Sequence, residues 1–267
     1  TEWRVSRLNT IRLGLGLSYA KYFHNSKLDT QALLLDPGTQ LGFDIFIGDH
    51  VRLNIHDRIE IVQNPIDEAT LSNVERFTRL QNAAGVTAFI RYPDWDFVLG
   101  YDHFNYNTLS SAFNYLDRTE EQIFASARHR MSDALGVGVE ASAALINYTE
   151  GVNNDATSWT VGAFADATLS EYTKIRVSGG WQDMSFDGNG TSLDRSNFGG
   201  WYANLSAAQR LTQYLSHTVT VGREARLGLT VNYADYVFAR YAAIWRMNAN
   251  MTWSFDAFIE DAKESGG

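Results

Sequence analysis

Between Ala134 and Gln182 the chain alternates apolar and polar residues for longer than a soluble sheet requires. The first run sets Leu135, Val137, Val139, Ala141, Ala143 and Leu145 against Gly136, Gly138, Glu140, Ser142 and Ala144. A second sets Trp159, Val161, Ala163, Ala165, Ala167 and Leu169 against Thr160, Gly162, Phe164, Asp166 and Thr168. After a turn at Ser170 and Glu171, a third sets Thr173, Ile175, Val177, Gly179 and Trp181 against Lys174, Arg176, Ser178, Gly180 and Gln182. A period of two over such lengths specifies β-strands with one apolar face and one small or polar face.

The same pattern runs along the chain. Ile11 to Tyr22 reads as the first clear strand, and Trp3 to Val5 as the end of another. Further strands lie around 41–47, 51–61, 86–92, 95–106, 122–130, 201–208, 215–224, 237–246 and 251–260. Asp57 interrupts an apolar face, which implies either a bulge or a position near a headgroup region. Short turns at Gly48-Asp49, Pro93-Asp94, Met131–Asp133, Thr212-Gln213 and Met247–Asn250 alternate with longer polar connections at 23–37, 63–82, 107–119 and 186–197. The expectation is an all-β chain of 13 substantial strands plus a truncated one at the start, forming a single domain or most of one. The final ESGG reads as the start of a loop, so the chain is expected to be a segment of a longer barrel.

Which face meets the core decides the class. Soluble sandwiches have strands of about five or six residues and fill their interior with large side chains. Here one face is glycine, serine and charge, and the other is apolar along most of each run. Apolar side chains outside and a wet lumen inside describe an antiparallel transmembrane β-barrel, whose closure satisfies edge hydrogen bonds that hydrocarbon cannot. Trp95, Trp159, Trp181, Trp245 and Trp253, with Tyr22, Tyr92, Tyr101, Tyr106 and Tyr172, fall near strand ends, where aromatic belts are expected.

Composition narrows the functions. The 267 residues carry 22 basic and 31 acidic side chains, a formal charge of -9, which argues against general nucleic-acid binding. Cysteine is absent, excluding disulfides and thiolate chemistry. The six histidines are scattered without metal-site spacing, and no dinucleotide or phosphate-loop motif occurs, so no metal or cofactor is expected.

Segments such as IRLGLGLSYAKY, ALGVGVEASAALINY and TWSFDAFIE, joined by RMSD and LSEY, resemble bacterial outer-membrane β-barrel proteins in architecture. The resemblance implies insertion into the outer membrane from the periplasm, contact with lipid and a lipopolysaccharide-type leaflet, and a role as channel, transporter, anchor, translocator or enzyme. Many such proteins end on an aromatic residue; this chain ends in Gly267.

The charges of the polar face are the candidate pore lining: Arg12, Asp44, Arg52, Arg58, Glu60, Arg91, Asp102, Arg128, Glu140, Asp166, Arg176, Glu224, Arg240 and Asp256. Hydrated in a lumen, such a mixed set favours passive diffusion of small hydrophilic solutes or ions with weak selectivity. The alternative is a structural or assembly component of an envelope complex, oligomeric or bound to other envelope proteins. No catalytic residue is assigned: Ser142 shares a face with Glu140 but has no base, and His56 and His103 read as lumen and loop-side histidines. The long connections are expected either to recognise an outside ligand or to fold inward and narrow the pore.

Overall fold

The structure, a computed structural model, describes residues 1–6, 8–19, 21, 34–36, 38–63, 77–248 and 251–266. In chain order the strands are β1 (Glu2–Arg4), β2 (Thr10–Gly14), β3 (Leu17–Ser18), β4 (Leu34–Leu35), β5 (Gln40–Ile47), β6 (Val51–Val62), β7 (Arg79–Arg91), β8 (Trp95–Thr108), β9 (Arg118–Arg130), β10 (Leu135–Tyr148), β11 (Ala156–Ser170), β12 (Thr173–Phe186), β13 (Phe198–Arg210), β14 (Leu215–Leu227), β15 (Tyr233–Asn248) and β16 (Met251–Glu264). All but β3 and β4 form one 14-stranded antiparallel sheet in sequence order. Among the described residues no ladder joins β1 to β16.

The expected alternation of connections is present. Turns at 48–50, 92–94, 131–134, 171–172 and 211–214 occupy one end, and the connections 109–117, 149–155, 187–197 and 228–232 occupy the other. The faces are arranged as the pattern requires. On β10, Leu135, Val137, Val139 and Leu145 are exposed, whereas Gly136, Gly138, Glu140 and Ser142 are covered or half-covered. Val139 is 59% exposed and Trp253 62% exposed, values foreign to a soluble core and natural on the outside of a membrane barrel.

Glycines on the concave face let large rings lie against the wall. Phe164 of β11 faces Gly138 of β10, and Phe238 of β15 faces Gly222 of β14. A Cβ on either glycine would collide with the facing ring.

Several boundaries differ from the sequence expectation. The Ile11–Tyr22 strand is broken: β2 ends at Gly14, and Leu17–Ser18 pair instead with Leu34–Leu35. The backbone of Gly16 is taken by the Thr39 hydroxyl, which accepts its N–H and donates to its carbonyl, both at 3.1 Å. Tyr22 and most of the 23–37 connection lie outside the described residues, as do Ala249 and Asn250 of the last short turn. The polar connection at 63–82 is too long by four residues, because β7 begins at Arg79 opposite Thr108. Likewise β8 reaches Thr108, a short 3-10 helix spans Ser111–Leu116, and β9 begins at Arg118. Strand β15 starts at Tyr233, four residues before the apolar run at Val237. These ends carry polar residues or inward rings, so apolar periodicity alone cannot mark them.

The Asp57 question is settled by register. Ladder β6–β7 is unbroken, so there is no bulge. Asp57 stays on the outer face and accepts a hydrogen bond from Asn82 Nδ2 at 2.5 Å.

Candidate functional site: an ion-paired inner wall beneath a folded cap

On the outer face, each apolar run gives way to polar groups toward the long connections: His103 follows Tyr101, Glu121 precedes Ile123, and Asp183, Arg223, Asp235 and Asp261 lie beyond Trp181, Val221, Val237 and Ile259. Four of these groups pair, His103 Nδ1 with Glu121 Oε1 at 2.7 Å and Arg223 with Asp235 at 2.6 and 3.1 Å. Trp181 faces Trp201 near this boundary, and Trp245 faces Trp253 near the short turns. From Val237 to Trp245 a strand covers about 27 Å, or about 20 Å along the axis at a tilt of about 40°. That approaches the apolar height of outer-membrane barrels, about 25 Å. Tyr106 does not join a belt. It lies on the inner face, 2% exposed, in the core beneath the connections.

The inner wall carries a ladder of alternating charge. Asp96 accepts from Arg91 (3.1 Å), Arg130 (2.7 and 3.0 Å) and Arg128 (3.3 Å). Arg128 also reaches Asp166 (3.1 Å). Arg176 donates to Asp166 (3.2 Å) and Glu140 (2.9 Å), and the Tyr202 hydroxyl donates to Glu140 at 3.1 Å. On the C-terminal strands Arg226 bonds Glu224 (2.6 Å), while Arg240 bonds Glu260 (2.8 Å). Toward the N-terminus, Arg12 pairs with Asp44, which also accepts from Asn54 Nδ2 at 2.9 Å, and the buried His56 contacts Asp102 at 2.9 Å.

The structure thus joins nine of the fourteen lining candidates into ion pairs, Arg12, Asp44, Arg91, Arg128, Glu140, Asp166, Arg176, Glu224 and Arg240, and sets Asp102 in hydrogen-bond contact with His56. Arg52 lies over the Phe89 ring, 4.2 Å from its centroid. Glu60 lies beside the Gln81 amide, and Arg58 and Asp256 are exposed. Asp96, Arg130, Arg226 and Glu260 complete the ladder and lie outside those fourteen, although even spacing from Asp102, Arg128, Glu224 and Asp256 places them on the same face. Ser142 donates to or accepts from Thr160 Oγ1 at 2.7 Å, and Tyr101 donates to Glu121 outside the barrel wall. Among the described residues no group of three histidine or carboxylate side chains is placed to hold a metal.

Above this wall the long connections fold together. Phe77, Tyr106, Leu116 and Leu229 form a buried apolar cluster, with Phe77 0% exposed. Strands β6 and β7 lie far from β14 and β15 in the sheet, so the sharing of one cluster by Phe77 and Leu229 requires the sheet to curl. Polar contacts reinforce the cap. Asn154, 1% exposed, donates from Nδ2 to Asn232 Oδ1 (2.8 Å) and to the Asp194 carbonyl (3.0 Å). The Asp194 carboxylate accepts from Ser265 Oγ (2.5 Å), Ser196 N–H (2.8 Å) and Asn232 N–H (2.9 Å). Burial raises its pKa, but these three donors outweigh burial and bring it down to about 2.

The cap is anchored where the wall is interrupted. Ladder β13–β14 stops at Ala203 opposite Arg223, although β13 continues along β12 to Phe198 and β14 continues along β15 to Leu227. Beyond Arg223, β14 moves inward. Ala225 and Leu227, outward by alternation, pack on the inner residues Met184 and Phe198. The Gln182 side chain, opposite the bare Gly200, replaces the missing ladder: Nε2 donates to the Ala225 carbonyl (2.8 Å) and Oε1 accepts from its N–H (3.0 Å). From outside, Arg223 donates to the Trp201 carbonyl (3.1 Å) and stacks on its ring (4.3 Å). The described parts of the long connections pack on one another.

The chain shares its fold with an outer membrane protein of Vibrio cholerae. That protein, a loop-deletion mutant of OmpT, superposes with a TM-score of 0.51 at 10% identity, over 93% of this chain and 77% of that one. The outer-membrane expressed form of OmpT gives a TM-score of 0.49 at 10% identity, over 97% and 78% of the two chains. A Pseudomonas aeruginosa FadL homologue gives 0.45 at 8% identity, over 87% and 70%. No protein-family model and no curated protein matches the sequence.

Proposed function

We propose that this chain forms a closed barrel in the bacterial outer membrane, its apolar belt in lipid and its capped end toward the lipopolysaccharide-type leaflet. The inner wall passes small hydrophilic solutes or ions by diffusion, and the folded connections limit access at the capped end. One observation carries the reading: large apolar side chains stand exposed on one face while paired arginines and carboxylates line the other. Water stabilises the second face and oil the first, so the sheet fits a bilayer with a wet interior. The fold shared with an outer membrane protein supports the location. Paired charges of both signs favour weak ion selectivity.

Planar-bilayer recording on the folded chain tests this. Expected are discrete conductance steps with little preference between cations and anions, larger when the cap is loosened by Phe77→Ala. Silence from both proteins rejects permeation. The packed cap favours a second reading, a structural component of an envelope complex, which predicts silence together with stable copurification of other envelope proteins.

A further inference from the structure

The inner wall near the short turns departs from the balanced ladder. Phe46, Arg52, Phe89 and Val98 stand side by side in one row across β5, β6, β7 and β8. They line a hollow of about 520 Å³, with Arg91 and Asp96 beside them and Asp49 of the adjoining turn at its rim. Arg52 is held by the face of Phe89, and among the described residues no carboxylate is bonded to it. Asp96 does not neutralise it, because its oxygens already accept from Arg130, Arg128 and Arg91. Arg91 has only that shared carboxylate and its side chain is 79% exposed. The hollow therefore combines an apolar floor with two arginines whose guanidinium donors remain available.

The geometry points to a binding station for small organic monoanions with an apolar body, the carboxylate on Arg52 and Arg91 and the body against Phe46, Phe89 and Val98. This rests on the inner face being the wet wall of the proposed pore, and it names the solute class that wall would retain. Arginine suits the task because its planar donors meet a carboxylate in pairs while its face stays on an aromatic ring. A hollow of this volume falls within the range of small-molecule sites, about 300–1,000 Å³.

Equilibrium dialysis of phenylacetate against the folded full chain in detergent tests the site without requiring conduction. Saturable binding is expected, weakened about tenfold or more in Arg52→Gln, as for loss of a charged hydrogen bond, and less in Arg52→Lys. Phenylacetamide, equal in shape and uncharged, is expected to bind at least about tenfold more weakly than phenylacetate. Equal binding of the two, no loss in Arg52→Gln despite a native circular dichroism spectrum, or inorganic phosphate binding as tightly as phenylacetate would each overturn the proposal. Conductance without phenylacetate binding refutes the station alone, whereas binding without conductance refutes permeation and leaves the station standing.

Discussion

Strands β9 to β12 and the β13–β14 junction solve the same problem in different ways. From β9 to β12 every strand is paired along nearly its whole length, and the inner charges sit on a continuous backbone frame. At β13–β14 the ladder stops at Ala203 and Arg223, and side chains take over: Gln182 on the inside, Arg223 on the outside. The first arrangement gives a wall that hydrocarbon can surround, since no backbone group is left to water. The second frees the ends of β14 and β15 to fold inward and build the cap. The cost is that fewer bonds, made by movable side chains, hold that junction. Local stability is therefore expected to be higher in β9–β12 than at the cap.

The comparison breaks most readily at the cap's apolar cluster. Phe77→Ala, in a site with no solvent exposure, is expected to destabilise the cap by about 3–5 kcal/mol. Hydrogen exchange should rise in 109–117 and 228–232 while β9–β12 stay protected; exchange rising equally in β10 would show that cap and wall are one unit. Next in size, Val139→Arg on the exposed face of the wall is expected to cost about 2–4 kcal/mol for folding into vesicles. Denaturant titration in phosphatidylcholine vesicles measures it, and no loss would mean that this face does not meet lipid. Gln182→Ala leaves the Ala225 N–H and carbonyl without their partner and is expected to cost about 1–3 kcal/mol, read as faster exchange of the Ala225 amide. Unchanged exchange would show that the apolar packing alone holds the junction.

The smallest effect is expected from acid. Asp194 titrates at about 2 rather than its ordinary 3.8. Its carboxylate therefore favours the folded cap above about pH 4, and that contribution fades as pH falls through about 2. Conductance should be steady at pH 5 and above and change between about pH 4 and 2, and Asp194→Asn should remove that change. A transition near pH 6 would assign the response to other groups.

Much of the wall was legible because a strand's period of two writes its two faces directly into the sequence. The runs around Val139, Val161 and Val177 gave both the strand type and the face that is exposed. Nine lining candidates found ion-pair partners for the same reason: alternation puts them on the inner face, and antiparallel neighbours bring opposite charges within reach. Boundaries were less legible. Tyr106 sits at a strand end like a belt residue, yet its face depends on one residue of register, and it is buried in the cap.

The amino-acid order by itself determined that this chain makes long antiparallel strands with oil-compatible and water-compatible sides, since those properties follow from neighbours two residues apart. Only the tertiary structure decided that β14 leaves β13 at Arg223, that Gln182 reaches over Gly200 to Ala225, and that Leu229 joins the buried cluster of Phe77, Tyr106 and Leu116. Those contacts join residues remote in sequence, and they depend on how far the sheet curls, a quantity that no local period records.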